Sequence, residues 1–71
     1  MEKRYVFVKD WKTLEGVIQT GREVSITHGC VYLDGGMMSP YYANVLMSLI
    51  VNEEKNGFNY LKPMQLIYNK C

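Results

Sequence analysis

The stretch between Ser39 and Gly57 constrains this fold more than any other part of the sequence. Ser39 is a favourable helix N-cap, and Pro40 follows at the first helical position, where its missing N–H costs nothing. Lys55 falls in the last turn, and Gly57 can end a helix in a left-handed conformation. These signals predict one helix that begins after Ser39 and ends before Gly57.

The apolar side chains of this helix cover a wide arc. At about 100° per residue, its polar positions form one stripe about 80° wide, and its apolar positions fill most of the rest. The polar stripe consists of Asn44, Ser48, Asn52 and Lys55. The apolar positions are Tyr42, Ala43, Val45, Leu46, Met47, Leu49, Ile50 and Val51. A helix on one sheet hides an arc of somewhat more than about 100°. We therefore expect two or three of Ala43, Met47, Ile50 and Val51 to remain uncovered.

Strand-forming segments lie on both sides of the helix. Alternating or β-branched runs predict strands at Arg4–Val8, Leu14–Gln19, Glu23–Thr27, Cys30–Leu33 and Tyr60–Tyr68. We expect Leu14–Gln19 and Glu23–Thr27 to form a hairpin around Gly21, and Pro63 to confine the last strand to an edge, a start or a bulge. The order β-β-β-β-α-β predicts a single α+β domain over residues 1–71, with one antiparallel sheet and a single helix packed on one face.

Two arrangements could cover the surplus apolar surface of the helix. The flanking segments Gly35–Met38 and Trp11 could fold over it within one chain, or a second copy or another protein could cover it. A chain of 71 residues supplies few loops, and domains below about 70 to 80 residues often need a disulfide, a metal or a partner. The second arrangement, with a homodimer as one form of it, is therefore favoured.

Composition excludes several classes of protein. With 48% hydrophobic and 21% charged residues the chain should fold, and a net charge of +1 is too even to drive binding to nucleic acid or an anionic membrane. Its longest apolar stretch, Tyr41–Val51, is far shorter than the roughly 20 residues of a membrane span. Met1–Arg4 shows no secretory leader, so we expect a cytoplasmic protein with reduced thiols at Cys30 and Cys71.

Residues able to carry chemistry are few. His28, Cys30 and Asp34 share strand parity, but His28-Gly29 is a turn signal, which breaks that alignment. A structural zinc needs four ligands, and His28, Cys30 and Cys71 supply three. We therefore predict no catalytic residues, no metal and no cofactor.

The loop before the helix is a candidate ligand-binding site. The loop Asp34–Ser39, with Asp34, Gly35, Gly36 and Ser39, precedes a helix N-terminus and could hold a nucleotide at a dimer seam. It lacks a phosphate-binding motif, and we expect its glycines to reverse the chain into the helix, with Met37 and Met38 packed beneath it.

The N-terminal region could contact nucleic acid through cations interleaved with an indole. These residues are Lys3, Arg4, Lys9, Lys12 and Trp11. Glu2 and Asp10 halve the charge, so we do not expect a nucleic-acid partner.

The remaining signal is an excess of tyrosine and methionine, which are both favoured at protein interfaces. We predict a non-enzymatic protein-binding module whose contact residues are Tyr41, Tyr42, Met47, Val51 and Trp11. Few Ala and Arg beside many Lys, Asn and Tyr are typical of AT-rich coding. We therefore expect a phage or bacterial accessory protein that inhibits or adapts a host protein by occupying its surface, in the host cytoplasm if it is phage-encoded.

Overall fold

A computed structural model of the chain describes residues 2–64. Within them the elements are β1 (Lys3–Phe7), β2 (Trp11–Thr13), β3 (Gly16–Ile18), β4 (Glu23–Thr27), β5 (Cys30–Leu33), β6 (Gly36–Met37), α1 (Pro40–Asn56) and β7 (Leu61–Pro63). Five strands form an antiparallel sheet in the order β6-β5-β4-β1-β7, and α1 packs against it. The predicted α+β fold is confirmed.

The core lies between α1 and one face of the sheet. Tyr5 on β1 stands opposite Val24 on β4, and Phe7 on β1 stands opposite Leu61 on β7, so buried side chains from neighbouring strands align in rows. Leu46 and Ile50 of α1 are fully buried against this face. The buried apolar side chains are Tyr5, Phe7, Ile18, Val24, Val31, Leu46, Ile50 and Leu61.

Both ends of α1 follow the predicted chemistry. Ser39 caps the N-terminus, its hydroxyl accepting from the Tyr42 N–H at 3.5 Å. Gly57 closes the C-terminus with φ of 111°, and its N–H donates to the Glu53 carbonyl at 2.8 Å. A positive φ strains any residue with a side chain, so glycine suits this position.

The segment before α1 differs from the prediction. Asp34 and Gly35 have φ of 51° and 86°, the left-handed pair of a two-residue hairpin turn, and Leu33 pairs with Gly36 across it. The glycines therefore build a hairpin with β6 and do not reverse the chain into the helix. Met37 is consequently 71% exposed, which makes the expected packing of this side chain wrong, whereas Met38 does pack against the core.

The predicted hairpin of Leu14–Gln19 with Glu23–Thr27 is also wrong. β3 pairs with β2 in a separate two-stranded sheet, with Trp11 opposite Ile18. β4 has no free edge for β3, because β1 and β5 occupy its two sides. The described chain thus has six strands before the helix, two more than the predicted four.

The final strand is described only in part. β7 lies at the sheet edge beside β1 and ends at Pro63, in agreement with the edge position expected of a proline. Residues 65–68 of the predicted strand, and Cys71, lie outside the described residues. The only helix among residues 2–64 falls short of what a bilayer crossing demands in length and apolarity.

Candidate functional site

Burial varies sharply around α1. Ile50 is 2% exposed, so it is not one of the uncovered side chains among the four that the sequence singled out. Ala43 and Met47 are half-buried, and Val51 is 56% exposed. The uncovered apolar surface therefore lies along one flank of the helix, centred on Met47 and Val51.

This flank borders a shallow hollow of about 570 Å³ on the outer side of the helix. We call it the helix groove, and its residues are Asn44, Met47, Ser48, Val51, Asn52 and Lys55. Lys55 carries the only charge among these residues. Interface centres are depleted in charged side chains and enriched in methionine, and this composition fits that description.

A second hollow, of about 330 Å³, opens between α1 and the ends of β1 and β4. We call it the helix–sheet cleft, and its residues are Lys3, Tyr5, Ile26, His28, Gly29, Met47, Ile50, Val51 and Glu54. Met47 and Val51 line both hollows. The helix groove and the helix–sheet cleft therefore form one continuous surface with an apolar centre.

Hydrogen-bonded and charged side chains form one wall of the helix–sheet cleft. The Tyr5 hydroxyl donates a hydrogen bond to the Glu54 carboxylate, and the Lys3 ammonium lies 3.9 Å from the same carboxylate. Burial, the hydrogen bond to Glu54 and the charge of Glu54 raise the pKa of Tyr5 well above its ordinary value. The hydroxyl stays protonated at neutral pH, so it serves here as a hydrogen-bond donor.

The position of α1 depends on a buried carboxylate that our sequence reasoning missed. Glu53 is 3% exposed and accepts hydrogen bonds from the backbone N–H groups of Asn59, Tyr60 and Leu61, at 2.9, 2.9 and 3.0 Å. These bonds join the C-terminal half of α1 to the entry of β7. Helical periodicity could have found it, because Glu53 follows the buried Leu46 by seven positions, or two turns.

The five predicted contact residues do not form one site. Trp11 stacks on Phe7 at 5.9 Å between ring centroids, and the Tyr42 and Thr13 hydroxyls are hydrogen-bonded at 3.0 Å. Trp11 thus packs against the core, and the bond between Thr13 and Tyr42 joins the β2–β3 hairpin to α1.

Tyr41 stands apart from the centre of the helix groove. Its ring meets the edge of Tyr42 at 5.6 Å, and 38% of the residue is exposed. At about 1.5 Å per residue, Tyr41 lies some 15 Å along the helix from Val51. Of the five, only Met47 and Val51 line the continuous surface.

The residues of the predicted ligand loop serve separate structural roles. The Asp34 carboxylate accepts from the Glu23 N–H at 2.9 Å and from the Arg22 guanidinium. These two contacts, the backbone bond foremost, lower the pKa of Asp34. Gly35 completes a turn, Gly36 begins β6 and Ser39 caps the helix. The four therefore do not present one loop to a ligand.

The candidate catalytic residues, all of which lie within residues 2–64, do not form a group. His28 lies in an exposed turn, Cys30 is an exposed free thiol at the start of β5, and Asp34 is bonded to Arg22. Nowhere in residues 2–64 do three His, Cys, Asp or Glu side chains form a group that could hold a metal ion.

The basic N-terminal residues point in different directions. Lys3 lines the helix–sheet cleft, and Arg4, the next residue of the same strand, lies on the opposite face and contacts Glu2 at 3.0 Å. The Lys9 ammonium donates to Asn59 at 2.7 Å. No single basic patch is formed by these three.

Comparison with known proteins supplies no relative for this chain: no family model, no curated protein and no solved structure matches it.

Proposed function

We propose that this chain is a non-enzymatic protein-binding module that acts by burying the outer face of α1 against a protein surface. The observation that carries the proposal is the position of Val51, 56% exposed where the helix groove meets the helix–sheet cleft. A β-branched apolar side chain there, beside the adaptable Met47, leaves burial energy available to a partner.

The free energy available from burying Val51 determines how much surface a partner must contact. Burying a whole valine side chain contributes about 1.5 to 3 kcal/mol, so the exposed half of Val51 contributes roughly 1 kcal/mol. Since binding must also offset the lost freedom of the two molecules, Val51 alone is insufficient. A partner therefore has to cover the helix groove and the helix–sheet cleft together.

The proposed biological role rests on surface binding and on the composition of the chain. A chain of 71 residues can act by occupying a surface, and the AT-rich pattern of its composition supports a phage or bacterial accessory protein. In this proposal the module inhibits or adapts the protein that it covers.

Substitution of Val51 tests the proposal directly. Val51→Asp places a charge at the centre of the surface, while Val17→Asp makes the same change at a valine of comparable exposure on β3. The tagged full chain is used for capture from extracts of its native host, with quantitative mass spectrometry. Val51→Asp should reduce recovery of the captured protein at least about tenfold, and Val17→Asp should not. Equal recovery from the two folded variants would refute the proposal.

A further inference from the structure

We draw no further inference here: the strongest candidate, the helix–sheet cleft between α1 and the ends of β1 and β4, carries nothing more, because it belongs to the surface already proposed for protein binding, the polar groups of Tyr5, Glu54 and Lys3 on its wall contact one another, and nothing in residues 2–64 shows what covers it.

Discussion

Glu53→Ala should remove about 3 kcal/mol from the free energy of unfolding. The carboxylate accepts hydrogen bonds from the N–H groups of Asn59, Tyr60 and Leu61, and the bond from Leu61 is buried. An unsatisfied buried donor costs about 1 to 3 kcal/mol, and each of the two less buried donors, partly rehydrated, costs roughly 0.5 to 1 kcal/mol. A domain of 71 residues has a total stability of only about 4 to 10 kcal/mol.

Trp11 reports unfolding, since it is the only tryptophan and stacks on the buried Phe7. Urea titration at low protein concentration should rank the stabilities as wild type, then Glu53→Gln, then Glu53→Ala. Glutamine keeps one carbonyl oxygen as an acceptor but turns an N–H₂ group toward the other backbone donors. Glu53→Gln should therefore lose about half as much stability as Glu53→Ala. Glu15→Ala, at an exposed turn, should change stability by less than about 0.5 kcal/mol.

The alanine variant decides whether these bonds matter. A loss below about 1 kcal/mol would show that water replaces the carboxylate at all three N–H groups, and our account of the position of α1 would then be wrong. A loss equal to that of Glu15→Ala would contradict it in the same way. An unchanged m-value is needed for this comparison, because it shows that the unfolding reaction itself is the same.

Two predictions concern pH. Because Glu23 and Arg22 lower the pKa of Asp34 from its ordinary 3.8, its contribution is present above that pH and lost as the pH falls through the folded-state pKa. Asp34→Asn should therefore cost less than about 1 kcal/mol at pH 7 and nothing in strong acid, as judged by melting temperature; a constant difference would contradict this. Burial and Glu54 raise the pKa of Tyr5 above its ordinary 10.0, so its contribution is lost as the pH rises beyond that value. Tyr5→Phe should be about 1 kcal/mol less stable than the wild type at neutral pH and should lose less stability in alkali. Melting temperatures of the two proteins that fall in parallel as the pH rises would refute this.

Local chemistry determined the features that the sequence predicted well. The ends of α1 depend on Ser39 and Gly57, which act through hydrogen bonds and backbone angles within a few residues. The turn at His28-Gly29 is similarly local, with φ of 53° and 78° at its two central residues. Such features need no knowledge of the rest of the fold.

Strand pairing was harder to predict because it depends on distant residues. Asp34-Gly35 is a strong hairpin signal, but its second strand, Gly36–Met37, is too short to show a pattern of its own. β3 pairs with β2, and Trp11 of β2 stacks on Phe7 of β1, a residue of the other sheet. The sequence alone does not show which segment supplies such a partner.

The sequence did not determine which apolar residues of α1 are exposed. Periodicity gives the width of an apolar arc, but the centre of the buried part depends on how the helix is rotated on the sheet. Ile50 lies about 40° from the fully buried Leu46 and is covered, whereas Val51 lies about 140° away and is exposed. Once Leu46 is known to face the sheet, both outcomes follow.

The rotation of α1 also explains why a valine is exposed while a glutamate is buried. Glu53 and Val51 are two residues apart, so they lie about 200° apart around the helix, on nearly opposite sides. A rotation that buried Val51 would withdraw the carboxylate from three backbone donors, at a cost of about 3 kcal/mol, in exchange for roughly 1 kcal/mol of apolar burial. The fold therefore favours the rotation that leaves Val51 in the helix groove. The three bonds to Glu53 therefore maintain the exposure of Val51 within the described residues.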